Sequence, residues 1–418
     1  MNPTFQPQTT THRVRSVDEI REQFPALASD WAFFDHAGGS PPARQVIDRV
    51  ARYMSEVPFQ HGASYPLSQQ AVAGFDAGRA SMARMLNATP GEVALGPSST
   101  TLVARLARSL APSLAPGDEV VVTNLDHETN ITPWRRLEAQ GVRIREWAFR
   151  DEDQALHPED LDELLSDRTR LVACTHCSNL IGTIHDVPEI ARRVHAAGAK
   201  LCVDGVAYAP HRRIDIRALD VDFYVFSTYK TFGPHAAALF VRADNLPSLA
   251  TQGFFFQPTS NPKILEPGST PYELVGGLAG VTDYLAWLAG QESDGSQITD
   301  SALETAWNGI EARERELLRP LLGLLADHPR VTLYGLADGD DPRRVPTVSF
   351  SVEGRQASEI PAALHEHKLA VRFGHFYAHR AVEALGLHDR GGVVRASLLH
   401  INDEAEIERL VAALDEVL

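Results

Sequence analysis

From Phe33 to about Val241 the chain alternates short β-rich runs with longer amphipathic runs. That alternation restricts its fold more than any other feature. The clearest β-rich runs are Val120–Val122, Leu171–Cys174, Lys200–Val203 and Phe223–Phe226. Helical spacing fills the intervals. One example is Val187–Ala197, with Pro188 in its first turn and Gly198 at its end. Near-continuous apolar strands separated by helices predict an α/β class with a mostly parallel sheet covered on both faces.

The flanks read differently. Polar residues up to about Ser16 form a loose arm, and Ser16 is placed to cap a helix that begins at Val17. After Asp244 a Gly/Pro-rich stretch leads to an apolar helix near Leu274–Leu288, and Gly290–Thr299 is polar enough for a loop or hinge. A long amphipathic helix over Asp300–Ala326 comes next. Short strands at Val331–Tyr334, Thr347–Val352 and Val393–Ser397 and a closing helix at Asp403–Val417 predict a smaller α+β domain. The expected division is 1–30 as arm and helix packing with the small domain, 31–290 as the large domain and 291–418 as the small one.

Composition narrows the function. The 418 residues carry a net charge of −16, which disfavours a duplex nucleic acid or an anionic membrane as partner. No run approaches the ~18 apolar residues of a membrane span, and the N-terminus has no apolar core for a signal peptide. Three cysteines (Cys174, Cys177, Cys202) are too few for a disulfide framework and fit a reducing cytoplasm. Cys174-Thr175-His176-Cys177 is not read as a metal site, because residues three apart on a strand face opposite ways.

In a doubly wound sheet, ligands bind beyond the carboxyl ends of the strands, and three such ends carry suggestive residues. Gly96-Pro97-Ser98-Ser99-Thr100-Thr101 feeds a helix, offering hydroxyls and amides to a phosphate, although a Ser/Thr turn more often simply caps its helix. Asp204-Gly205 comes directly after Cys202-Val203, where a carboxylate is partly buried and needs a cation; alone it reads as a loop-bonding acid. Lys230, in Ser-x-x-Lys-x-x-Gly-Pro, stands past an apolar strand, where desolvation lowers an amine's pKa. An average lysine would reach solvent instead. The combination is more specific: phosphate cup, acidic strand end and desolvated lysine are what pyridoxal phosphate requires.

From about Phe33 onward the sequence resembles the class V aminotransferase fold family, in its cysteine desulfurase and selenocysteine lyase branch. The stretch Thr175–His235 is similar throughout. The resemblance implies the type I fold of pyridoxal phosphate-dependent transferases, with a seven-stranded type of sheet, and a homodimer with active sites at the interface. It implies Lys230 as the Schiff-base lysine, Asp204 as partner of the pyridine nitrogen and His127 as the ring stacked on the cofactor. Ser99, Thr100 and Ser227 match phosphate contacts, and Ser269 matches one donated across the dimer. Asn179 matches a residue near cofactor and substrate carboxylate, and Arg395, with Arg372 in the same site, matches the carboxylate clamp.

Two departures stand out. Tyr377, in Arg372-Phe373-Gly374-His375-Phe376-Tyr377, occupies the place of the branch's nucleophilic cysteine, and a phenol cannot become a persulfide. Ala207 replaces a glutamine that bonds the cofactor's ring oxygen, leaving Tyr208 or His211 as substitutes. The expected function is therefore β-elimination on an amino acid, such as C–S cleavage of a cysteine conjugate. Epimerisation, transamination, a desulfurase-like protein without persulfide transfer and a non-catalytic cofactor-binding regulator are the alternatives.

Overall fold

The computed structural model describes residues 15–256, 261–268, 270–291 and 297–418. In chain order its strands are β1 (Ala32–Phe33), β2 (Val93–Gly96), β3 (Glu119–Thr123), β4 (Arg143–Trp147), β5 (Thr169–Thr175), β6 (Lys200–Asp204), β7 (Phe223–Ser227) and β8 (Ala237–Val241). They continue as β9 (Val331–Tyr334), β10 (Thr347–Val352), β11 (Leu369–Ala370), β12 (Arg372–Gly374) and β13 (Val393–Ser397).

The main sheet has seven strands in the order β2-β8-β7-β6-β5-β3-β4. Strands β7, β6, β5, β3 and β4 pair in parallel, and β8 runs antiparallel to both its neighbours. The apolar runs are continuous because both faces are covered, and successive residues serve different cores. Val121, Leu201, Val203, Tyr224 and Phe226 pack into one core. Val120, Val122, Cys202, Phe223 and Val225 pack into the other, with Leu102 and Leu106 of helix Ser99–Leu110.

A second sheet, β12-β13-β10-β9, is antiparallel. Its apolar face packs on Leu317, Leu318, Leu321 and Leu325 of helix Asp300–Asp327 and on Ile407, Leu410 and Leu414 of helix Glu404–Val417. Asp403 caps the latter helix rather than starting it. The expected single helix near Leu274–Leu288 is two, Tyr272–Gly277 and Ala279–Leu288, meeting at Leu278. Near the N-terminus, Ser16 caps a helix of only five residues, because Pro25 opens a separate 3-10 turn. Residues 32–35 join the second sheet's side of the molecule: β1 pairs with β11, and Asp35 bridges to Ser397. Among the described residues no helix is long and apolar enough to cross a membrane.

Candidate active site

The parallel strands deliver their carboxyl ends to one edge of the main sheet, and Lys230, Asp204, His127, Asn179, Ser99 and Thr100 gather there. Strand β7 ends at Ser227 and runs into a 3-10 turn, Thr228–Lys230. That turn carries Lys230 inward, where it is 7% exposed. Its Nζ lies 5.9 Å over the Tyr229 ring and has no hydrogen bond or ion pair among the described residues. Burial, reinforced by the Arg395 charge, drives its pKa down to about 8, against the pull of Asp204 and Asp35.

Asp204 is the last residue of β6, and its Oδ1 accepts the Val206 amide at 2.9 Å. Burial raises its carboxyl to about 6, while that amide and Lys230 draw it back. The next residue must be glycine: a Cβ at Gly205 would lie 2.1 Å from the Tyr224 hydroxyl. Sequence position alone thus brings an amine and an acid, each buried, to neighbouring strand ends.

The hydroxyl-rich turn after β2 starts the helix Ser99–Leu110, capped by Ser98 accepting the Thr101 amide at 3.2 Å. Ser227 donates to Ser99 at 3.0 Å, and the Thr100 and Thr129 hydroxyls are 2.8 Å apart. These hydroxyls and the helix's free amides make an anion cradle. Ser98, Ser99, Thr100, His127, Asn179, Asp204 and Lys230 line one cavity with Tyr229, Ala207 and Cys177. His127 enters from the turn after β3. Its Nδ1 accepts the Thr129 amide at 3.0 Å, which puts the proton on Nε2. Burial, then the charges of Lys230 and Arg395, lowers its pKa to about 3, so it is a neutral ring.

Arg395, Arg372 and Tyr377 do not line that cavity, and neither does Ser227, whose buried hydroxyl reaches it only through Ser99. Arg395 is 2% exposed on β13; its Nη1 donates to the Asn179 carbonyl and its Nη2 to Asp35 Oδ1, both at 2.9 Å. Arg372 donates to Asp35 Oδ2 at 3.2 Å. The Phe376 ring covers the Arg395 guanidinium at 3.7 Å, and the Phe376 carbonyl accepts the Asn179 amide at 2.9 Å. Tyr377 is 63% exposed with its ring 5.1 Å from that of His127. Neither Asp35 nor Phe376 is among the residues that sequence singles out. Asp35 carries a usable signal all the same: an acid after the apolar run Trp31–Phe34 and before Gly38-Gly39 repeats the signature of Asp204-Gly205.

Neither residue suggested as a substitute at Ala207 reaches the cavity. Tyr208 stacks on His176 at 3.6 Å with its hydroxyl toward the Arg213 carbonyl, and His211 pairs with buried Glu314 at 2.9 Å. Cys177 lies beyond the end of β5 and lines the cavity, rather than sitting on a strand. Its thiol is buried, and burial pushes it well above the ordinary range. Ser269 lies outside the described residues.

A buried lysine without a partner among the described residues, a buried acid one strand away and a hydroxyl cradle at a helix N-terminus fit pyridoxal phosphate. The class-V aminotransferase family model matches residues 32–410. An aminotransferase-like protein of Gibberella zeae is 40% identical over 96% of this chain and 98% of its own. A cysteine desulfurase-like protein of Aspergillus flavus is 32% identical over 100% of this chain and 94% of its own. The solved cysteine desulfurase CsdA of Escherichia coli superposes with a TM-score of 0.82 at 25% identity, covering 97% of this chain and 98% of its own. The chain belongs to the class-V aminotransferase family, as a pyridoxal phosphate-dependent enzyme of its cysteine desulfurase-like branch.

Proposed function

We propose that this enzyme eliminates a β-substituent from an amino acid, cleaving the C–S bond of a cysteine conjugate to a thiol, pyruvate and ammonia. The observation that carries this reading is the absence of a usable sulfur acceptor. Position 377 is a phenol, and Cys174, Cys177 and Cys202 are all buried with raised pKa values, unlike the exposed thiolates that attack sulfur.

Pyridoxal phosphate, when bound, supplies an electron sink for the pair left as the Cα–H bond breaks. Lys230 is the residue that would carry it, and burial brings its Nζ down to about 8, close enough to the working pH for the amine to exchange the Cα proton. Asp204 would hold a proton on the ring nitrogen. Ser99 and Thr100 would take the phosphate, with Ser227 behind Ser99, and neutral His127 would present its face as a wall. Arg395, helped by Asn179, takes the substrate carboxylate, a charge-assisted contact suited to guanidinium. Water then completes the stoichiometry, releasing pyruvate and ammonia while the leaving sulfur departs protonated as a thiol.

We further propose a homodimer with active sites at its interface. Phe254, Phe255 and Phe256 form an exposed aromatic run, Phe255 at 97%, close in sequence to Ser269.

The test is product analysis with S-alkyl and S-aryl cysteines. Equimolar thiol and pyruvate support the reading. A persulfide trapped on one of the three cysteines, or only an epimerised amino acid or a side-chain-intact 2-oxo acid, overturns it.

A further inference from the structure

We propose that Asp35 is a positioning residue for carboxylate recognition: it holds Arg395 in the one orientation in which the guanidinium receives the substrate's carboxylate. The proposal rests on Arg395 being the carboxylate clamp and adds a residue that no sequence motif assigns.

The sheet itself creates the need for Asp35. Strands β12 and β13 pair antiparallel with Arg372 directly opposite Arg395. Like charges at such a cross-strand pair repel, and a buried guanidinium without a partner is costly. Asp35 answers both cations with one carboxylate, Oδ1 to Arg395 Nη2 at 2.9 Å and Oδ2 to Arg372 Nη1 at 3.2 Å.

Asp35 is itself rigidly mounted. It bridges to Ser397, the last residue of β13. The Ser397 amide donates to the Phe34 carbonyl at 2.7 Å, and the Ala37 amide donates to Ser397 Oγ at 2.8 Å. Gly38 keeps the space beside the carboxylate clear, since a Cβ there would lie 2.9 Å from Asp35 Oδ2. The acid and the arginine it holds are thus tied to the same strand end, so their geometry is fixed as one unit.

Arg395 shows the consequence. Its Nη2 is held by Asp35, its Nη1 by the Asn179 carbonyl, and its face by Phe376. Its Nε is buried and has no partner among the described residues. Asp35 leaves that donor free while preventing the guanidinium from turning to satisfy it elsewhere.

The test compares S-methyl-L-cysteine with its carboxamide as probes of the loaded enzyme, reading the visible absorbance of the bound cofactor during titration. The wild type should respond to S-methylcysteine at lower concentration than to the amide. Asp35→Asn should weaken the response to S-methylcysteine about 10- to 100-fold, the size of a lost charge-assisted contact, and leave the amide unchanged. Asp35→Glu, which keeps the charge on a longer arm, should fall between, and it serves if Asp35→Asn does not fold. Equal weakening for both probes means a merely structural role and overturns the proposal, as does undiminished affinity for S-methylcysteine in either variant. A wild type blind to both probes overturns the amino-acid reading, and the proposal with it.

Discussion

Replacing Lys230 with methionine should make the cofactor-free protein more stable at neutral pH. Lys230 is 7% exposed and unpaired among the described residues, and burial brings its pKa from 10.5 to about 8. At about 1.4 kcal/mol per pH unit, that drop is a folding penalty of ~3 kcal/mol. Proton counts set the sign. Below about pH 8 the amine is charged in both states and the penalty is complete. Between about 8 and 10.5 the unfolded chain binds more protons, so stability rises with pH, and above that the penalty is gone. Asp204 loses a cationic neighbour in the variant, but a carboxyl near 6 can take a proton, which trims the expected gain to ~2 kcal/mol at pH 7. Urea denaturation of both cofactor-free proteins at pH 7, 8.5 and 10 checks it. The Lys230→Met midpoint should lie above that of the wild type at pH 7, and the two should converge by pH 10. An equal or lower midpoint at pH 7, or an advantage undiminished at pH 10, would refute the reasoning.

Other outcomes are equally specific. Borohydride reduction and then peptide mapping should locate the cofactor on Lys230, and label on Lys200, Lys263 or Lys368 would contradict the assignment. Asp204→Asn should keep its cofactor but lose most turnover, since an amide cannot hold the ring nitrogen protonated; a loss of about 100-fold or more is expected if this contact sets the electron sink. Tyr377→Phe should leave kcat within about 3-fold if the ring only packs beside His127, whereas a large fall confined to kcat would assign it proton transfer. Light scattering at assay concentration should report a dimer, and a fully active monomer would exclude an interfacial site.

The main sheet is legible in the sequence because its strands are buried on both faces. Val120–Val122, Leu171–Cys174, Lys200–Val203 and Phe223–Phe226 announce themselves as apolar runs and fall on β3, β5, β6 and β7. Position along those strands then picks out Asp204 and Lys230, because a parallel edge places its chemistry on the residues just past each run. Contacts outside that logic are harder to see. Arg395 and Arg372 lie on an antiparallel sheet more than 160 residues after Asp204, and their shared acid comes from residue 35. No local pattern encodes a contact across that sequence distance. Cys177 is expected on a strand because the β-rich stretch shows no break before it, yet β5 stops at Thr175 and the chain turns into the cavity. The break between Tyr272–Gly277 and Ala279–Leu288 is hidden for a related reason, since helical spacing runs on across it.

The backbone around Tyr377 bears on whether this scaffold can ever carry sulfur. Phe376 and Tyr377 are both left-handed, at φ 49° and 62°, a conformation that costs side-chain-bearing residues energy and persists only where contacts enforce it. Enforcement comes from three directions: the Phe376 carbonyl on Asn179, the Tyr377 carbonyl on the Glu128 amide at 2.9 Å, and the Tyr377 amide on His375 Nδ1 at 3.0 Å. A sulfur courier must commute, loading beside the cofactor and unloading at an outside acceptor. A segment held by Asn179 and by the Glu128 amide at consecutive residues is poorly placed for such a journey. Restoring cysteine at position 377 would therefore install a stationary thiol next to His127, and the route outward would have to be rebuilt by releasing those contacts as well.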